Sequence, residues 1–158
     1  RGAAIHMIDL IIWITGLKPT FVYAIGNKKI TNNTSFKKNS FAIILLEFPN
    51  KILAKVTANA PAKHEHFHEL KIFSKDKTIV HSKLGSYITD GNNTKLIKSN
   101  YPDKENRKNL IRNFIDNLLE KKQNIYLNTK DQFDLMSVCF AIEKSIILKK
   151  KIKINYFK

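Results

Sequence analysis

Glycine is scarce in this chain. Only five occur in 158 residues, and no two are close neighbours. A backbone cradle for a pyrophosphate needs closely spaced glycines between a strand and a helix. Neither G-x-G-x-x-G nor G-x-x-x-x-G-K-[ST] is present, so the chain by itself is expected to bind no dinucleotide. There is one cysteine, Cys139, which excludes an intrachain disulfide. It falls within the apolar pattern of the last predicted helix and reads as an inert core thiol. No apolar run approaches the roughly 20 residues a membrane helix needs, and a cytoplasmic location is the expectation. Acidic residues number 13 against 28 basic ones, for a net charge of +15. Of those basic residues only Arg1, Arg107 and Arg112 are arginine. Base-edge readout favours the flat arginine fork, and the lysines are scattered from Lys18 to Lys158. A nucleic-acid partner is therefore not expected.

What is present suits a packed domain. Hydrophobic residues make up 43% and aromatics 10%, enough apolar surface for a core, and the length fits one domain over residues 1–158. Residues 5–15 read as a helix. Ile5, Ile8 and Ile12 share a face, His6, Asp9 and Trp13 lie along the neighbouring one, and Gly16 is a stop. Trp13 is expected in the core. Residues 20–25 are β-rich, and 27–39 form a polar loop. Residues 41–48 read as a strand so apolar that both faces should be covered. Its hairpin partner follows over 52–58 after the turn Pro49-Asn50-Lys51. Further strands are expected over 67–73, 78–81, 87–89 and 95–97, with turns at Lys75-Asp76 and Asp90-Gly91.

Helices return after Pro102. Leu110, Ile111, Phe114, Ile115, Leu118 and Leu119 make a wide apolar face on a charged helix. A last helix starts at Thr129, which has capping-box spacing with Gln132. Phe133, Met136, Phe140 and Ile147 repeat along one side and Val138, Ile142 and Ile146 widen it, so this helix should be largely buried. One helix, a run of strands joined by tight turns, then two helices predict an α+β fold. Its expected form is a mainly antiparallel open sheet with helices packed on one face.

His64, His66 and His68 project to one face of an extended segment, as metal ligands can. A fourth ligand is missing, and a solvated or substrate-lining face is the expected reading, with no metal.

The opening segment, Gly2-Ala-Ala-Ile-His6-Met-Ile-Asp9-Leu-Ile-Ile-Trp13-Ile-Thr-Gly16, carries a histidine, an apolar pair, an aspartate and a Leu-x-x-Trp-x-x-Gly run. It resembles the helix that opens the substrate half of the Gfo/Idh/MocA oxidoreductases. The resemblance continues through residues 41–58 with Phe48-Pro49-Asn50 at their turn, His64-Glu65-His66 leading into residues 70–79, and Ala141-Ile142-Glu143-Lys144-Ser145. It implies a C-terminal substrate-binding and oligomerisation domain whose N-terminal Rossmann domain, absent from this chain, would bind NAD or NADP. It implies hydride transfer at a hydroxyl of a sugar or sugar nucleotide, with His6 as the catalytic histidine and Asp9 orienting or charge-stabilising it from one turn away. It also implies a homo-oligomer. The chain departs from the family pattern in having Gly2 where many members have an aspartate, and Lys51 and Lys77 in place of two turn glycines. The alternative reading is a non-catalytic assembly domain that forms oligomers through its sheet face.

Overall fold

A computed structural model describes residues 2–36, 38–63, 67–98, 104–119 and 128–157. In chain order the elements are α1 (Gly2–Thr15), β1 (Phe21–Asn27), β2 (Phe41–Glu47), β3 (Leu53–Asn59), β4 (Leu70–Phe73), β5 (Thr78–Ser82), β6 (Gly85–Thr89), β7 (Thr94–Ile97), α2 (Lys104–Leu118), α3 (Thr129–Leu148) and β8 (Ile152–Lys153). The class is α+β with antiparallel pairing, one helix before the run of strands and two after it, as the sequence predicts. The strands divide into two four-stranded sheets, and the chain forms two compact units. One comprises Arg1–Lys63 with Leu127–Lys158, the other His64–Tyr126.

In the first unit the sheet order is β3-β2-β1-β8. Ile44 aligns with Ala24 and Val56, and Leu46 with Val22 and Ala54. Because side chains alternate along a strand, these residues share one face and are buried, apart from the half-buried Ala54. Ile8 of α1 and Leu135, Val138 and Ile142 of α3 close over them in one hydrophobic cluster. Helix α1 packs on β3, α3 packs on β1 and β8, and the helices touch each other. The opposite face carries the aligned row Tyr23–Leu45–Lys55 and the row Ile25–Ile43–Thr57. Tyr23, Ile25 and Leu45 are exposed there. Helices cover one face of this strand only, as expected of helices packed on one face, and the other apolar face is left open within this unit.

Two expectations are corrected. Trp13 is 78% exposed rather than in the core. The arc of α1 that meets the sheet is centred on Ile8, and Trp13 lies beyond its edge, about 140° away at 100° per residue. The capping box of α3 is Asn128 with Asp131, one residue earlier than Thr129 with Gln132. Asn128 Oδ1 accepts from the Asp131 N–H at 2.8 Å, and Asp131 Oδ2 accepts from the Asn128 N–H at 3.1 Å. The buried side of α3 is Asp134, Leu135, Ser137, Val138, Cys139, Ala141, Ile142 and Ser145. Phe133, Phe140 and Ile147, seven residues apart, stay exposed.

Local chemistry closes the ends. Gly16, at φ +63°, gives its N–H to the Ile12 carbonyl at 2.9 Å and stops α1 as expected. The β2–β3 turn places Asn50 and Lys51 at φ 59° and 61°, the left-handed pair that turns the chain most sharply in a hairpin. Strand β8 is an addition to the predicted elements. It pairs only with Phe21 and Val22 of β1. Further along that edge the Ala24 N–H donates to Ser145 Oγ at 2.9 Å, and the Ser145 hydroxyl donates to the Lys150 carbonyl at 2.7 Å.

An ion pair between a buried carboxylate and a half-exposed ammonium ties three segments of this unit together. Asp134, 4% exposed, takes the Lys18 ammonium. The ammonium lies 5.5 Å from the centre of the Tyr156 ring, and the Tyr156 hydroxyl donates to the Pro19 carbonyl at 2.6 Å. Burial, and secondarily the nearby Asp134 charge, push the Tyr156 phenol well above its ordinary range.

The second unit is a meander, β4-β5-β6-β7. Asp90 builds its β6–β7 turn by accepting from the Asn93 and Asn92 N–H groups at 2.8 and 3.0 Å. These bonds hold its carboxyl below the usual range. On α2 the apolar face formed by Leu110, Ile111, Phe114, Ile115 and Leu118 is exposed. Among the described residues no helix is long and apolar enough to cross a membrane.

Candidate active site

Two residues with the chemistry for a proton transfer, His6 and Asp9, lie one turn apart on α1. His6 is exposed on α1. Asp9, three residues on, shares its side of the helix by i, i+3 spacing and is half-buried. Asp131 comes from α3, its carboxylate tethered by the capping box. Burial raises the Asp9 carboxyl above its ordinary 3.8, His6 opposes that rise, and Asp131 adds to it. An imidazole on an open helix face, with an acid one turn away, can take a proton from a bound hydroxyl and have the resulting charge compensated. A carboxyl held above its usual value by burial is a recurrent mark of functional sites.

Asp131, at the N-terminal turn of α3, is not among the residues the sequence singles out. Asp131 had a signal: Asn128-x-x-Asp131 has the spacing of a capping box, in which an acidic side chain can return to the N-cap amide. Setting the box one residue later hid the tether.

The histidine run is only partly in view. His64 and His66 lie outside the described residues, and His68 is half-buried. Among the described residues no three of His, Cys, Asp and Glu gather as metal ligands would. His81 faces Ser86 across β5–β6, Nδ1 to Oγ 2.7 Å, with Phe67 stacked on its ring at 5.2 Å. This is a cross-strand pair of the kind that holds a sheet together.

Among the described residues Gly16, Gly26, Gly85 and Gly91 stand singly along the chain.

Residues 2–83 match the model of the GFO/IDH/MocA C-terminal domain. Among solved structures, a levoglucosan dehydrogenase in complex with NADH and L-sorbose superposes with a TM-score of 0.83 at 12% identity, over 99% of this chain and 50% of that one. UDP-N-acetylglucosamine 3-dehydrogenase from Acidithiobacillus ferrooxidans gives 0.75 at 17% identity, over 90% of this chain and 45% of that one. Myo-inositol 2-dehydrogenase from Lactobacillus plantarum gives 0.73 at 16%, over 96% and 47%. The likenesses establish a shared fold, and the chain spans about half the length of these proteins. No curated protein gives a significant match.

Proposed function

The chain belongs to the GFO/IDH/MocA family, as a C-terminal domain, and from that premise we propose that it is the substrate-binding and oligomerisation half of a cytoplasmic oxidoreductase acting on a sugar or sugar nucleotide. Oxidising a secondary alcohol removes a hydride from carbon and a proton from oxygen. A nicotinamide cofactor, NAD or NADP, takes the hydride in such enzymes. The residues described here do not fit that cofactor, so it belongs to a dinucleotide-binding half outside this chain. The share of this chain is the proton. His6 accepts it from the substrate hydroxyl, and Asp9 supports the imidazolium that forms. The single observation carrying this reading is His6 exposed on α1, one turn from the half-buried carboxyl of Asp9, which burial pushes above its ordinary range.

The test is His6→Ala in a protein that includes the dinucleotide-binding half. Turnover should fall roughly 100- to 10,000-fold, the usual contribution of a general base, with little change in KM, cofactor affinity or thermal midpoint. A change in hydride transfer below about threefold with a midpoint lowered by several degrees defeats the catalytic reading. It would favour the second one, an assembly domain without catalysis, for which Gly2 in place of the family's frequent aspartate speaks. Under either reading the open sheet face, with Tyr23, Ile25 and Leu45 exposed, is proposed to meet a second copy of itself. A two-fold contact lets one apolar patch serve both partners.

A further inference from the structure

We propose that the Asp90–Gly91 linkage is a modification site at which the backbone can rearrange to isoaspartate, and that the hydrogen bonds of the β6–β7 turn hold it shut. The chemistry needs only water. The Gly91 nitrogen attacks the side-chain carboxyl carbon of Asp90. Its proton leaves with the carboxyl hydroxyl as water, and a succinimide ring closes. Water then opens the ring at either carbonyl. Opening on the side-chain carbonyl restores aspartate, and opening on the main-chain carbonyl leaves the chain running through the Asp90 side chain. Glycine offers no Cβ to hinder the attack, and nothing lies within 4 Å of where one would stand on Gly91.

The turn opposes the first step from both sides. The Gly91 N–H, which must give up its proton to attack, donates to the Thr89 hydroxyl at 3.1 Å. That hydroxyl is itself fixed: it donates to the Asn93 carbonyl at 2.9 Å and accepts from the Thr94 hydroxyl at 3.1 Å. On the acid side, Asp90 Oδ1 accepts from the Asn92 and Asn93 N–H groups. These bonds favour the carboxylate, whereas the protonated acid is the form that releases an oxygen as water. They also tie the side chain into the turn. An unfolded chain has neither restraint. The consequence of rearrangement falls on one strand. Isoaspartate adds a carbon to the main chain between Thr89 and Thr94, which are paired across the turn. Strand β7 is an edge of its sheet and neighbours only β6 there, so its register depends on this turn.

The test measures isoaspartate formation at neutral pH in the 158-residue chain. It is read by enzymatic methylation of the isoaspartyl carboxyl with S-adenosylmethionine as donor and located by peptide mapping. The folded parent should form isoaspartate at Asp90 more slowly than the same chain unfolded in guanidinium chloride. Thr89→Val removes the hydroxyl that holds the Gly91 N–H. Its rate should rise roughly 2- to 10-fold over the parent, the equivalent of one net hydrogen bond, with the fold verified by circular dichroism. Thr89→Ser keeps the hydroxyl and should match the parent. Asp90→Glu cannot close the same ring and should lose the signal at this position. Equal rates in the folded parent and the unfolded chain overturn the proposal without recourse to any variant. A folded Thr89→Val no faster than the parent overturns it as well, and so does a folded Thr89→Ser that has lost the protection. In aged protein that has accumulated isoaspartate, amide hydrogens of residues 94–97 should exchange faster than in fresh protein. Unchanged exchange there would refute the dependence of β7 on the turn.

Discussion

Replacing Lys18 with Met strips the counter-charge from Asp134 while keeping most of the aliphatic stem. Asp134 has 4% of its surface exposed, and its Oδ1 already has no hydrogen-bond partner among the described residues. In the variant the whole carboxylate is left buried and unpaired. Removing one partner of a fully buried pair costs about 3–5 kcal/mol. The Lys18 side chain is 46% exposed, so solvent already screens part of the attraction, and a discount to about 2 kcal/mol is appropriate. Loss of the ammonium over the Tyr156 ring falls within that figure. For a chain of this size each kcal/mol moves the thermal midpoint by about 2–4 °C. Lys18→Met should therefore unfold about 4–8 °C below the parent at pH 7, followed by circular dichroism. Lys18→Met combined with Asp134→Leu should recover most of the loss, because an apolar pair of similar volume removes the desolvation cost altogether. A single variant melting within about a degree of the parent would refute the reasoning and mean that water, not Lys18, satisfies Asp134.

Other consequences can be checked as directly. Lys51 sits at φ 61°, where a side chain is strained and glycine is not. Lys51→Gly should stabilise by about 0.5–1 kcal/mol and Lys51→Ala should not, both measured by urea denaturation. For Asp9 the sign follows from its raised carboxyl. The fold favours the protonated form, a contribution present below the ordinary 3.8 and lost as pH rises through the folded value. Asp9→Asn should thus melt higher than the parent at pH 7, and the gap should close in acid; a gap that widens in acid contradicts this. Leu45→Glu, in the middle of the open sheet face, should turn oligomer into monomer in sedimentation at micromolar concentration, and an unchanged oligomer moves the interface elsewhere.

Much of this fold is legible in the sequence because its local signals agree with one another. The apolar run of residues 41–48 and the return over 52–58, with Pro49-Asn50-Lys51 between, admit little but a hairpin. The i, i+3, i+4 spacing of Ile5, Ile8 and Ile12 ending at Gly16 admits little but a helix. The misses share a cause. Apolar character says that a side chain prefers to leave water and does not say whether the same chain supplies the cover. Trp13, Leu45, Phe133 and Phe140 are all apolar, and all are exposed. β8 was passed over because two paired residues leave almost no periodic trace, although Ile152 and Ile154 are both buried. At the site, His6 and Asp9 are legible as neighbours on one helix. The packing of α3 on α1 beside them is a long-range feature that no local pattern encodes.

Ser145 has a consequence for how this chain can go wrong. A strand border with unpaired amides is a template that recruits foreign strands, and proteins suppress that recruitment by blocking or twisting the border. Here β8 guards only Phe21 and Val22, and the amide of Ala24 is stoppered by the Ser145 hydroxyl from a helix. The guard is therefore only as durable as the last turn of α3 and the residues just after it, where the Lys150 carbonyl holds the same hydroxyl in place. Fraying of that turn uncovers the border of β1 before the rest of the sheet has opened, so self-templated aggregation should set in ahead of global unfolding.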